Sequence, residues 1–292
     1  MSSSSASDAT VTVVIGASAP PESLEACLAA LEAQLDDGVD VRVHEARQSS
    51  HELRERFGWA TFVESPGAIV PSLWRDGIDA AGGDIVALTI AQMIPAPDWI
   101  ARIRELSSEF GVVGGAIEPG PRLRPTDWAE YFCRYARDMV PFQGRESLDL
   151  PGDNAAYRRG PLERVAAVYR HGFWEPFVHQ RLARDGVVHW HDPELVVAMT
   201  RSSGLGAFTA QRGSHGRQYG RDRGAALSTG RRVLGVVAAP AVPFLMTARV
   251  LRAVLRKHRY RARAIAVLPL IFWFNVAWAF AEARGYFDLL RS

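Results

Sequence analysis

The stretch Asp84–Ile100, DIVALTIAQMIPAPDWI, decides how the chain is read. Ile85, Val86, Ala87 and Leu88 make an unbroken apolar run of strand length, the pattern of a strand covered on both faces. PAPDWI closes as a turn entering a helix. The intervening Ile90-Ala91-Gln92-Met93 therefore falls at the carboxyl edge of a sheet, where open α/β sheets bind ligands. Those four residues include no carboxylate, no histidine and no glycine.

Outward from this stretch, apolar strand runs alternate with helical periodicities. VTVVIGA (Val11–Ala17), VDVRVHEA and ATFVES read as strands. Between them, PPESLEACLAALEAQ places Leu24, Leu28 and Leu31 at helical spacing, and ELRERF and VPSLWRDGIDAAGG read as helices. Downstream, GVVGGAIEP is expected as a strand, DWAEYFCRYARDMVPF as a helix and LPGDNAAYRRGPLERV as a loop entering a helix. GFWEPFVHQRLARDG is expected as another helix and VVHWHDPELVVAM as a pair of strands. Strands alternating with helices imply an α/β fold with a mainly parallel sheet.

Composition fits a folded chain: 48% of the 292 residues are hydrophobic and 23% charged, outside the range of disordered sequences. The opening MSSSSASDAT has neither a basic start nor an apolar run, so it reads as a frayed tail over residues 1–10 and not as a signal peptide. Cys27 and Cys133 lie in no CxxC or metal-ligand spacing, which points to a reducing compartment for the soluble part. The net charge of +2 conceals basic residues crowded into the last third.

The order of these motifs, with DNAAYRR and DPELVV, resembles the family 2 glycosyltransferases over Val11 to Arg221. The resemblance implies a GT-A fold, a nucleotide-sugar donor and a lipid-linked or polysaccharide acceptor. Enzymes of that family usually hold Mg or Mn on an Asp-x-Asp motif after the fourth strand, because a departing nucleoside diphosphate concentrates negative charge. The two acidic positions here fall on Ile90 and Gln92, so no metal cofactor is expected. Trp74 and Arg75 stand where the family has an Arg-Asn pair, and Pro176 follows Glu175 where it has Glu-Asp. QRGSH keeps Gln211 but has Ser214 and His215 in place of the family's later Arg-Trp pair.

On the same resemblance Glu175 is the candidate base; a helix-start acid favoured by the macrodipole is the alternative. Glu45, where the family contacts the nucleotide base, is a donor-site candidate or a solvated loop acid. Gln92 belongs to the donor edge. Asp153 and Asn154 are acceptor-side candidates, and they could instead cap the following helix. His189 and His191 share one strand face, either as metal ligands lacking a third partner or as a polar face. Arg212, His215 and Arg217, with Arg221 and Arg223, could balance a diphosphate in place of a metal or form a collar for anionic lipid.

Two apolar stretches, 233–248 and 264–281, approach the length of a bilayer crossing and flank the basic RVLRAVLRKHRYRAR. A two-pass hairpin would place that basic segment on the far side, against the positive-inside tendency. The expected arrangement is a GT-A domain over residues 11–223 and a membrane-associated helical region over 224–292. The helices would be monotopic or re-entrant on the cytoplasmic face, with Trp273 and Trp278 near the headgroups. A buried helical hairpin or oligomer contact is the soluble alternative. The basic residues are assigned to a membrane surface and not to nucleic acid. Loss at Ile90, Gln92, Trp74 and Pro176 also admits a catalytically inactive scaffold that partners an active transferase.

Overall fold

Residues 9–18, 21–121, 123–200 and 204–291 of the chain are described by its computed structural model. Two units emerge: Met1–Gly120 with Asp138–Thr200, and Pro121–Arg137 with Arg201–Ser292. The first runs β1 (Val11–Ala17), α1 (Pro21–Glu32), β2 (Val39–Glu45), α2 (His51–Arg56), β3 (Thr61–Glu64), α3 (Val70–Asp79) and β4 (Ile85–Ile90). It continues with β5 (Met93–Pro95), α4 (Trp99–Glu109) and β6 (Val112–Pro119). After α5 (Pro125–Tyr135), which belongs to the second unit, come β7 (Arg145–Glu146), β8 (Asn154–Arg158), α6 (Arg159–Arg164) and α7 (Ala166–Tyr169). α8 (Glu175–Arg184) and β9 (His189–Met199) complete the unit.

The sheet order is β3-β2-β1-β4-β8-β6-β9-β5, with β7 alongside β9. β1 and β4 are buried at every position, as apolar runs covered on both faces must be. They pair in parallel from Val11↔Ile85 to Gly16↔Ile90, and β1 pairs β2 up to Ala17↔Glu45. β3 joins β2, and β9 joins β6, also in parallel. The mixed, mainly parallel α/β fold read from the sequence is present.

Several elements differ from the sequence reading. NAAYR, expected as a loop, is the antiparallel strand β8 between β4 and β6. Its paired alanines carry little strand propensity, yet Ala155 and Ala156 are fully buried, so tertiary packing decides. VVHWHDPELVVAM contributes one long strand, β9, and not two, with the register shifting against β6 between Gly115 and Ala116. The short β5, unforeseen, pairs antiparallel with β9. Most of the tail expected over 1–10 lies outside the described residues. Ala9 and Thr10 are held: the Ala9 carbonyl accepts from Arg104 Nε at 2.9 Å, and Thr10 N and Oγ1 donate to Asp84 Oδ2.

The second unit is helical: α5, α9 (Leu205–Ala225), α10 (Thr229–Ala238), α11 (Val242–Lys257), α12 (Arg261–Ala266) and α13 (Leu268–Arg291). It takes in α5 and the whole of α9, whereas a boundary at residue 223 leaves α5 with the sheet and cuts α9 in its last turn. Gly216, Gly220 and Gly224 recur every fourth residue along one face of α9; the first two meet the backbone of α13 and the third the Leu289 and Tyr286 side chains. A Cβ on Gly216 would lie 2.9 Å from the Trp278 carbonyl, and one on Gly220 would collide with the Glu282 carbonyl. Gly285 of α13 approaches the Arg217 and Arg221 backbone in return. His258 and Tyr260, at φ 58° and 53°, turn the chain from α11 into α12.

Among the described residues no single helix is long and apolar enough to cross a membrane. α10 and α11 reach the required length only together, and they are bent by 72° around the break that precedes Pro243. The apolar stretch 233–248 thus straddles a bend, and 264–281 begins in α12 and runs into α13.

Gly220→Ala should lower the chain's stability by about 1–3 kcal/mol, because backbone cannot yield to the added methyl. Gly230→Ala, where a Cβ meets nothing within 4 Å, should be neutral or stabilising. Equal melting temperatures for the two variants would contradict the helix–helix contact described above.

Candidate functional site

At the carboxyl edge of β1 and β4 the register sets Gly16 beside Ile90, and the Ala91 amide donates to the Gly16 carbonyl at 3.3 Å. α3 lays the Trp74 indole over this edge. Its Nε1 donates to the Thr89 carbonyl at 2.8 Å and lies 3.2 Å from where a Cβ on Gly16 would stand. Trp74 is 2% exposed and meets Phe173 edge-on, with ring centroids 6.4 Å apart. The departure flagged at Trp74 thus has a structural content: an apolar ring fills the end of the β1–β4 crevice. Arg75 lines a separate hollow of about 520 Å³ with Asp76, Asp79 and Tyr169, and donates to the Arg170 carbonyl at 3.1 Å.

The cation site implied by the resemblance was tested against these residues. Ile90 is buried and offers no donor atom. The Gln92 carbonyl accepts from Thr200 N and Oγ1 at 2.7 and 2.9 Å, tying the edge to the end of β9. Among the described residues no three His, Cys, Asp or Glu side chains cluster in a way that could hold a metal. The residues at the edge do not fit the family's cation.

A carboxylate reaches the edge from elsewhere. Because β8 runs antiparallel to β4 and pairs Thr89↔Asn154, Asp153 falls opposite Ile90. Thr89 Oγ1 donates to the Asp153 carbonyl at 3.0 Å, and Asp153 is only 6% exposed. Next to it, a Cβ on Gly152 would collide with the Glu175 carboxylate, so two acids flank one glycine. Glu175 opens α8 and is half-buried, and Pro176 behind it is in a first-turn position where no amide hydrogen is needed. Pro176 therefore builds the helix start that presents Glu175.

Asn154, expected on the acceptor side, points into the sheet and is fully buried. Its Nδ2 donates to the Ala116 and Leu195 carbonyls, each at 2.9 Å, and its Oδ1 accepts from Trp99 Nε1 at 2.8 Å. These bonds close the register shift between β6 and β9, where Gly115 leaves no room for a Cβ. Glu45 is 1% exposed and is engaged by Arg54 and by the Ser49 amide at 3.2 Å; Arg54 also reaches Glu64 at 2.8 Å. Glu45 is the buried member of this pair and Arg54 its part-exposed partner. Glu45 is thus neither solvated nor unpartnered.

The histidines behind the site were not foreseen in their roles. Tyr157 O–H donates to His179 Nε2 at 2.7 Å, and His179 Nδ1 donates to the Leu148 carbonyl at 2.9 Å, which anchors α8 to β8. Burial first, and His189 beside it, push His179 down to about 3. Burial, with the Glu175 charge, pushes Tyr157 up. His189 donates to the Val187 carbonyl at 2.9 Å, whereas His191 faces the Gly115 carbonyl and stacks on Phe142 at 4.2 Å. The sequence signal for Tyr157 and His179 was present, one on NAAYR and one on the α8 pattern, but nothing in it pairs them.

Arg212, His215 and Arg217 belong to the helical unit and carry partners there. Arg212 donates to the Phe274 carbonyl at 3.4 Å and lies 4.4 Å from the Trp278 ring centroid; burial holds it down to about 10. His215 is held down to about 3 by burial and by Arg134 and Arg212. Arg217 and Arg221 both bind Asp288 at 2.8 Å, and Arg223 binds Glu282 at 3.1 Å. These ion pairs engage Arg217, Arg221 and Arg223 with carboxylates of α13.

No family model matches the chain, and no curated protein matches it. Among solved structures it is similar to the mannosyltransferase PcManGT from Pyrobaculum calidifontis in complex with GDP-Man and Mn2+. That similarity has a TM-score of 0.55 and 17% identity, and it covers 96% of this chain and 88% of that one. The chain therefore has a glycosyltransferase-type fold.

His179 binds its proton less well folded than unfolded, so its contribution to stability is full above the ordinary value of 6.5 and is lost as pH falls toward about 3. The slope is about 1.4 kcal/mol per pH unit for one such group. Denaturation midpoints measured from pH 7 to 4 should fall in the wild type and fall less steeply in His179→Gln. His215 titrates in the same direction and keeps part of the slope. Parallel curves for the two proteins would refute the assignment.

Proposed function

We propose that the chain is a divergent family 2 glycosyltransferase that moves a sugar from a nucleotide-sugar donor to a lipid-linked or polysaccharide acceptor. The observation that carries this reading is the Glu175 carboxylate against Gly152, next in the chain to Asp153, at the carboxyl end of β4 in a glycosyltransferase-type fold. Glu175 takes the proton of the acceptor hydroxyl, the acceptor oxygen bonds to the anomeric carbon, and the carbon–oxygen bond to the diphosphate breaks. The nucleoside diphosphate departs with its electron pair. Asp153 holds the acceptor beside Glu175. No step passes through a metal, because Ile90 and Gln92 do not build its site.

One observation favours a second reading, a non-catalytic scaffold: Trp74 fills the β1–β4 crevice where the family carries a polar pair. Calorimetry with guanosine and uridine diphosphates, followed by turnover across nucleotide sugars, separates the two. Transfer should be unaffected by chelator, and Glu175→Gln should lower kcat by about a hundredfold or more with donor KM unchanged. Absence of nucleotide binding would remove the transferase reading and leave the scaffold.

The helical unit is proposed to lie on the cytoplasmic face of a membrane. This rests on Leu234 and Val237 of α10, Phe244 and Leu245 of α11 and Trp273 of α13, each more than half exposed, and on Arg249, Arg252 and Arg256 further along α11. In flotation with vesicles containing phosphatidylglycerol, the wild type should rise with lipid. A variant with Leu234, Val237 and Phe244 changed to Glu should remain below. A wild type that never floats would defeat the membrane proposal.

A further inference from the structure

Within the helical unit, α5, α11 and α13 enclose a cavity of about 270 Å³. Its charged lining is basic: Arg134 from the end of α5, Arg137 just beyond it and Arg249 from α11. Arg134 pairs with Glu130 at 3.3 Å, whereas Arg249 is exposed and forms no ion pair among the described residues. Phe132, Met246 and Val250 make the apolar wall. In the floor lies Asn275, fully buried, whose Nδ2 donates to Thr247 Oγ1 at 3.0 Å and whose Oδ1 has no donor.

An acceptor buried without a donor costs about 1–3 kcal/mol, a penalty that a ligand hydroxyl removes. The volume lies just below that of pockets which enclose whole small molecules, about 300–1,000 Å³. It suits a headgroup and not a complete lipid. α11 carries the exposed Phe244 and Leu245 next to Met246, and the Phe244 ring lies tilted against Phe272 of α13 with centroids 5.0 Å apart. Arginines and a hydroxyl-seeking amide inside, with exposed apolar side chains on the same helix, form one amphiphilic surface.

We propose that this cavity seats the headgroup of an anionic phospholipid that carries a hydroxyl. Arg249 and Arg137 hold the phosphate, Asn275 Oδ1 accepts from the headgroup hydroxyl, and the acyl chains leave along Phe244 and Leu245. The site differs from the sheet edge and does not depend on sugar transfer.

The test uses the full chain and dihexanoyl phosphatidylglycerol below its micelle concentration, so that membrane partition plays no part. Calorimetry should show saturable one-site binding, at least about tenfold tighter than for dihexanoyl phosphatidylcholine or for glycerol phosphate, given a charge-assisted bond and a satisfied amide. Arg249→Glu and the cavity-filling Val250→Trp should each weaken binding about tenfold or more. Arg252→Glu, one turn along α11 and outside the cavity lining, should leave it unchanged.

No saturable binding, or equal binding of phosphatidylcholine, overturns the proposal. Glycerol phosphate binding as tightly as the lipid also overturns it, in favour of a soluble-anion site. An Arg252→Glu loss matching that of Arg249→Glu overturns it in favour of diffuse surface charge. Arg249 is at the surface, so its variant decides the matter if Val250→Trp proves unstable.

Discussion

Asn154 engages both of its amide hydrogens and its oxygen inside the first unit, joining β8 to carbonyls on β6 and β9 and to the indole of α4. Without it, two carbonyls and a buried N–H at the register shift would lose their partner, and each such loss costs about 1–3 kcal/mol. The chain on either side inherits its position from this anchor. Asp153, one residue before it, falls at the end of β4, and Gly152 lies under the Glu175 carboxylate. The Tyr157–His179 bond then secures α8 against the far end of the same short strand.

The edge built on this anchor has two unlike halves. Toward β1, an indole lies over Gly16 and the crevice is packed. Toward β8, the Glu175 carboxylate lies against Gly152, one residue before Asp153. A fixed cation requires several carboxylates held together at high electrostatic cost when empty; the buried Ile90 and Trp74 at this edge offer dispersion contacts instead. Carboxylates thus stand not on β4 itself but beside β8, its antiparallel neighbour, and at the start of α8.

Most of the parallel half of the sheet was legible because β1 and β4 are continuous apolar runs and the helices between them keep their period. β8 was not, since Asn-Ala-Ala-Tyr-Arg has no β-branched residue and owes its strand state to neighbours far along the chain. For the same reason Asn154 read as a polar loop residue when it is a buried connector. Glu45 was located correctly at the end of β2, but its partner Arg54 is on the next helix, a pairing no local pattern announces. The glycine spacing of α9 was visible in the sequence, yet its meaning required α13, more than fifty residues on, to lie against it.

That glycine contact has a bearing on the medium in which the helical unit works. Helices held by expelled water lose their driving force once lipid tails surround them, whereas main chains in direct van der Waals touch keep it. The seam between α9 and α13 is of the second kind along Gly216, Gly220 and Gly285. The same pairing serves in an aqueous or an oily surrounding, so passage from one to the other asks for no refolding of this pair.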